Sequence, residues 1–232
     1  MRSLFLTGLG VAFLSISFNH LPSLANAVST FAQQGIAAQN AGDYGAAEVA
    51  YRAAIAQEPQ NATHHYNLGN ALGAQGKVEE AISAYQTAIE IAPDSGDAYY
   101  NLGYWLSAQG EDREAIAAYR EAVRLQPFNA DTYYNLGVLL TREGQTGEAE
   151  MILRRALLLN DTNVGAYRTL SDILLSQNRL TEAEALLTRG LNYLPSDPNL
   201  YYQLARTLEA QGRIQESVEA YETVVRLQTN SN

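Results

Sequence analysis

Beyond residue 27 the large apolar residues recur three and four apart. Tyr99, Leu102 and Leu106 do so, and Ala115, Tyr119 and Ala122 repeat the spacing shortly afterwards. Such spacing lines one face of an α-helix and neither face of a strand. Each apolar stretch is brief, and glycine or proline separates it from the next. The pattern therefore predicts many short helices in succession.

The succession is periodic. Written in rows of 34, residues 28–61, 62–95, 96–129, 130–163, 164–197 and 198–231 align without an insertion or deletion and leave only Asn232 over. Position 8 of the rows reads Gly35, Gly69, Gly103, Gly137, Ser171, Ala205, and position 20 reads Ala47, Ala81, Ala115, Ala149, Ala183, Ser217. Glycine inside a helix costs about 1 kcal/mol relative to alanine, so its recurrence predicts a packing requirement, the expected one being a close approach of two helix backbones. Position 27, with Ala54, Ala88, Ala122, Ala156, Gly190 and Val224, is expected to make a second tight contact, with the following row.

Position 15 reads Gly42, Gly76, Gly110, Gly144, Asn178, Gly212. Glycine, with asparagine as its usual substitute, suits a helix that ends in the left-handed conformation. Each row thus predicts a helix A ending there and a helix B starting about three residues on. Helix B is expected to reach position 32, where Pro59, Pro93, Pro127 and Pro195 forbid continuation and Asp161 and Thr229 stand in the other two rows.

Residues 1–27 follow a different rule. After Met1 and Arg2, residues 4–18 are uncharged and mostly apolar, Pro22 breaks any helix, and Leu24, Ala25, Asn26 and Ala27 close with small residues. This is the layout of a secretory signal peptide, expected to be cleaved after Ala27. The fifteen-residue run is short of the roughly 20 residues that span a bilayer. Export to a periplasm, a lumen or the medium is the expectation; the alternative is an uncleaved leader that anchors the chain at a membrane.

The row pattern resembles the tetratricopeptide repeat. In residues 96–129 it appears as Tyr99, Leu102, Gly103, Leu106, Ala115, Tyr119, Ala122 and Pro127. The resemblance implies an all-α fold, a right-handed α-solenoid of six antiparallel helix pairs whose A helices line a concave groove. It departs at the ends, with Gln34 and Ala38 in the first row and Ser217 and Val224 in the last, as terminal repeats often do. Solenoids of this family commonly close with an extra polar helix. None follows the sixth row, so the face around Val218, Tyr221 and Val225 is expected to stay uncovered, or to be covered by a partner or a second copy.

Composition narrows the function. There are 15 Lys+Arg against 25 Asp+Glu for a net charge of −10, and no cysteine. An acidic chain without a basic stripe repels phosphate backbones, which argues against nucleic acid. Lack of cysteine excludes disulfides, thiol nucleophiles and thiolate metal sites. Beyond the leader the histidines are His64 and His65, whose adjacent positions on a helix point about 100° apart and cannot share a metal. His65 stands in the aromatic position 4 beside Phe31, Tyr99, Tyr133, Tyr167 and Tyr201, and reads as a packing residue. Carboxylate pairs such as Glu79 and Glu80, or Glu111 and Asp112, fall at helix B starts, where acids complement the helix dipole. No enzymatic chemistry, cofactor or metal is expected.

Binding is the expectation that remains, because the resemblance assigns positions 2, 5, 6, 9, 12 and 13 to the groove. Position 6 reads Gln33, Asn67, Asn101, Asn135, Thr169, Gln203. An amide both donates and accepts, so it can pair with the backbone of an extended peptide whatever its sequence. Helices about 9 Å apart and a strand rise of about 3.3 Å would give one such rung for every third peptide residue. Asn-Leu-Gly is also common in this repeat, so the ladder is read equally as consensus. Tyr66, Tyr100, Tyr134 and Tyr202 at position 5, with Asn70 and Tyr104 at position 9, complete the candidate surface. Its late cations, Arg142, Arg168 and Arg206, could grip a carboxylate or phosphate, although Asp172 is placed to neutralise Arg168 four residues earlier. The lysine clamp that some members use for acidic tails is absent, with Asp97 and Asp131 at position 2.

The expected function is a non-catalytic scaffold that holds an extended peptide or helix of a protein partner. The alternatives are a self-assembling module or homo-oligomer joined through the sixth row, and an accessory subunit of a cell-envelope assembly or polysaccharide-export machine.

Overall fold

The computed structural model describes residues 24–229, with side chains from Thr30 onward. The leader expected over residues 1–27 lies outside the described residues as far as residue 23. The described chain forms twelve helices: α1 (Leu24–Asn40), α2 (Tyr44–Gln57), α3 (Ala62–Ala74), α4 (Val78–Ile91), α5 (Gly96–Ala108), α6 (Asp112–Leu125), α7 (Ala130–Arg142), α8 (Thr146–Leu159), α9 (Val164–Ser176), α10 (Leu180–Tyr193), α11 (Pro198–Ala210) and α12 (Ile214–Thr229). No strand occurs among the described residues. Odd-numbered helices are the A helices and even-numbered ones the B helices, and the whole is an all-α solenoid of helix pairs. Among the described residues no helix is long and apolar enough to cross a membrane.

Local chemistry sets the boundaries. Gly42, Gly76, Gly110, Gly144 and Gly212 have φ between +74° and +82°, and Asn178, the substitute at the same position, has φ +58°. Helix B then starts two residues after this turn, one earlier than expected. It also stops at position 30 instead of 32 in the first five rows. The residue before a proline is driven out of the α region, and Glu58, Ala92, Gln126 and Leu194 take φ between −126° and −130° with ψ between 66° and 86°. In the sixth row Thr229 replaces the proline and α12 runs on to it. Position 34 is the A-helix cap: the side chains of Asn61, Ser95, Asn129, Asn163 and Asp197 accept from backbone N–H groups in the first turn of the next helix.

Packing within a pair corrects one expectation. The position-8 glycines make room for a side chain, and not for a second backbone. A Cβ on Gly35 would come within 2.5 Å of the Tyr51 ring, one on Gly69 within 2.7 Å of Tyr85, and one on Gly137 within 2.6 Å of Leu153. Tyr51, Tyr85 and Tyr119 are each 1% exposed, and burial raises all three phenol pKa values above the ordinary one. Between rows the position-27 residues do pack tightly: Ala54, Ala88, Ala122 and Ala156 are buried, and a Cβ on Gly190 would meet Leu200 of the next row at 3.1 Å.

One apolar core runs from Ala47 to Leu200, and a small separate cluster of Ala205, Leu208 and Ala220 serves the sixth row. Helices α5, α7, α9 and α11 each touch the next in that series, whereas the B helices stand farther apart. The A helices are therefore the inner wall of the curve. On the outside, ion pairs link consecutive rows. Position 16 reaches position 21 of the row before in Lys77 to Glu48 (2.6 Å) and Arg213 to Glu184 (2.7 Å), and Arg179 pairs with Glu150 at the same positions.

Two outcomes are expected. Gly69→Ala should destabilise the chain by about 1–3 kcal/mol, because the buried Tyr85 ring must shift, as read by urea denaturation followed by circular dichroism. The hydrogen bond from Lys77 holds the Glu48 carboxyl at about 2, below its ordinary 4.5, against the opposing effect of burial. A depressed carboxylate favours the folded state above 4.5, and that contribution disappears as the pH falls towards 2. Glu48→Gln should flatten the fall in thermal midpoint across that window; an unchanged slope would show that Glu48 plays no part in it.

Candidate functional site

The inner wall carries a lattice of phenols and amides that ties consecutive rows together. Asn101 on α5 donates through Nδ2 to the Tyr66 hydroxyl (3.2 Å) and to Asn70 Oδ1 (3.1 Å), both on α3. Asn70 also accepts from the hydroxyl of Tyr85 at 2.7 Å. One row on, Asn135 donates to the Tyr100 hydroxyl at 3.4 Å, a long contact. In rows two and three the position-5 ring also meets the buried position-24 ring of its own pair, with centroids 5.9 Å apart for Tyr66 and Tyr85 and 5.8 Å apart for Tyr100 and Tyr119. The Tyr100 pKa is raised, first by burial and next by the charge of Asp131.

This arrangement changes what the position-6 residues can offer. Both N–H bonds of Asn101 are committed within the chain, which leaves its Oδ1 as an acceptor. Asn135 also acts on two phenols, those of Tyr100 and Tyr119, whereas among the described residues the Asn67 side chain makes no hydrogen bond, position 5 of the first row being Ala32, which supplies no hydroxyl. Thr169 donates to the Gly165 carbonyl of its own helix at 2.9 Å. Gln203 is only 3% exposed, with its Oε1 accepting from Arg206 at 2.8 Å, so it faces the core and not the groove. Gln33, in the first row, is exposed.

Among the candidate groove tyrosines Tyr104 and Tyr202 are the most open, at 51% and 48% exposed. Tyr104 stands edge-on to Trp105, with centroids 5.1 Å apart. Trp105 itself rests on Gly73 of the preceding A helix, where a Cβ would lie 2.6 Å from the indole. A pocket of about 230 Å³ opens here between α5 and α7, lined by Tyr104, Ser107, Tyr119, Tyr134, Asn135 and Val138 among others. Ser107 and Val138 hold positions 12 and 9, which the resemblance had assigned to the groove without naming them. Tyr119 comes from helix B, and sequence gave no sign that it would reach this pocket.

The cations are already engaged, with one exception. Arg142 pairs with Asp112 at 2.6 Å and donates to the Ser107 hydroxyl at 2.9 Å. Arg206 pairs with Asp172 at 2.6 Å. Asp172 is thus used across rows, not by Arg168, which is exposed and makes no ion pair among the described residues. His64 is buried with Nε2 3.2 Å from Glu58, and His65 is half-buried with Nε2 2.9 Å from the Pro59 carbonyl.

Comparison with known proteins places this architecture. The family model of the cilia and flagella-associated protein 70 C-terminal domain matches residues 21–232. The chain belongs to this tetratricopeptide-repeat family. Among solved structures, a tetratricopeptide repeat protein from Parabacteroides merdae aligns at a TM-score of 0.71 and 22% identity, covering 86% of this chain and 79% of its own. YrrB, described as a TPR protein with an unusual peptide-binding site, aligns at 0.68 and 23%, covering 77% and 92%. PilF of Pseudomonas aeruginosa aligns at 0.71 and 18%, covering 90% and 93%. No curated protein matches. At these identities the likeness is one of fold.

The lattice predicts an asymmetry between tyrosines. Tyr66→Phe removes the acceptor of Asn101 and should cost about 0.5–1.5 kcal/mol. Tyr134→Phe should cost little, since its hydroxyl makes no hydrogen bond among the described residues. Equal losses in urea unfolding would show that the Tyr66–Asn101 bond adds nothing.

Proposed function

We propose that the inner wall holds an extended segment or a helix of a partner protein, and that the chain is a non-catalytic scaffold. Tetratricopeptide-repeat folds are typically interaction scaffolds without chemistry of their own, which supports the general class. One observation carries the groove reading. The phenol and amide lattice from Tyr66 to Asn135 fixes its side chains before any partner arrives, and still presents the free amide of Asn67, the Oδ1 acceptors of Asn101 and Asn135, and the open ring of Tyr104. Prefixed side chains lose little entropy on binding, and amides recognise peptide backbone without demanding a sequence. Export behind the apolar leader belongs to the same reading.

Self-association is the second reading, favoured by α12. Its Ile214, Val218 and Val225 are 58%, 45% and 60% exposed along one helix. Sedimentation equilibrium at tens of micromolar separates the two: a strict monomer removes self-association. The fold likeness to PilF assigns no role in envelope assembly or polysaccharide export.

Affinity capture from an envelope extract tests the groove. Wild-type protein should retain a partner that the Asn67→Ala, Asn101→Ala, Asn135→Ala triple variant loses, with both proteins equally helical by circular dichroism. Identical partners on the two columns would count against the inner wall.

A further inference from the structure

The second row breaks the pattern of its neighbours at the outer side. Position 4 is tyrosine in rows three to six, at Tyr99, Tyr133, Tyr167 and Tyr201, and His65 in row two. The tyrosine ring lies along helix B of its own row: Arg155 sits 6.0 Å over the Tyr133 ring, and Tyr167, fully buried, lies against Gly190. In row two the smaller imidazole is drawn to the Pro59 carbonyl. The residues around it are small as well. Ala84 stands where rows four and five have Ile152 and Leu186, and Ser83 where row four has Met151; row three is equally small there, with Ala117 and Ala118, but keeps Tyr99 at position 4.

The result is a cleft of about 440 Å³ between α2 and α4, on the face opposite the groove. That volume is within the range of small-ligand pockets. Ile55, Leu68, Leu72 and Ala84 form its apolar lining, and His65 and Thr87 share the wall. At the same place in row five, the space between α8 and α10 is about 270 Å³, and its lining of Arg154, Glu182, Ala185, Leu186 and Arg189 includes none of the deeper A-helix residues. In that row the position-4 ring is Tyr167, fully buried against α10.

The geometry points to a second binding site, independent of the groove, that takes a tyrosine side chain of a partner protein into the place where the other rows put their own. Charge complementarity supports this occupant. The Pro59 carbonyl can only accept, so Nε2 of His65 carries the hydrogen and Nδ1 keeps a lone pair that suits a phenol hydrogen. At the rim, Arg52 pairs with Glu80 at 2.7 Å, both half exposed. The guanidinium can lie over an entering ring as Arg155 lies over Tyr133, and the carboxylate can accept an N–H of the chain that carries it.

The test titrates N-acetyl-L-tyrosine amide and N-acetyl-L-leucine amide into the ¹⁵N-labelled full chain. Expected are saturable shifts at the amides of Ile55, Leu68 and Ala84 with the tyrosine compound, and binding about tenfold weaker for leucine. His65→Tyr fills the cleft as rows three to six do, so it should raise the thermal midpoint and abolish these shifts. Ala84→Leu, which copies row five, should abolish them too and serves if His65→Tyr folds poorly. No saturable shift in the wild type, equal binding of the leucine compound, shifts confined to the groove around Tyr104 and Tyr134, or shifts that survive both substitutions would each overturn the assignment.

Discussion

A tyrosine ring pressed onto a bare glycine Cα sets the geometry of the first three helix pairs, and the inner wall depends on it. The ring fixes how closely A and B can pack, because neither the glycine position nor the buried ring can yield. It also joins core to surface. Tyr85 has its ring in the core and its hydroxyl on Asn70, which in turn accepts from Asn101. A core residue thereby orients two wall residues on different helices, so the polar surface is positioned by the hydrophobic interior and not by loops.

The wall is not uniform along its length. Where the hydroxyls of Tyr66 and Tyr100 in rows two and three accept from asparagines of the next row, rows five and six substitute a carboxylate and a guanidinium, Asp172 with Arg206. The change follows the residues available: in row five Arg168 stands at position 5 and Leu187 at position 24, so no phenol emerges there to organise an amide. One end of the groove is thus neutral and rich in hydrogen-bonding groups, while the other is ionic.

Much of the fold was legible in the sequence because it rests on backbone requirements that few residues meet. Position 15 needs a positive φ, and Asn178 obeys where glycine is missing. The row-ending prolines marked the end of helix B two residues late, since proline also acts on the residue before it. The caps at position 34 were visible as Asn61, Ser95, Asn129, Asn163 and Asp197 but pass unnoticed unless read as a set. The candidate site was less legible. Spacing identified Tyr66, Asn101 and Asn135 as groove candidates through the family resemblance, but which atoms they spend on one another depends on contacts 31 and 35 residues apart. Whether Gln203 faced outward or inward was likewise beyond a periodic pattern, because its burial follows from its neighbours and not from its position in the row.

The outer ladder between positions 16 and 21 has a property of its own. Charged pairs occupy it at Glu48 with Lys77, at Glu150 with Arg179 and at Glu184 with Arg213, but between them position 21 holds Ile82 and Ile116, both buried, facing Glu111 and Gln145 at position 16. Screening by dissolved ions weakens the former and leaves hydrocarbon contacts almost untouched. Ionic strength therefore acts unevenly along the spiral. Rows two and three are joined by no ion pair among the described residues, whereas rows three and four are also linked by Arg113 with Glu143, Arg120 with Glu148 and Arg142 with Asp112, so brine would spare the former junction and loosen the others.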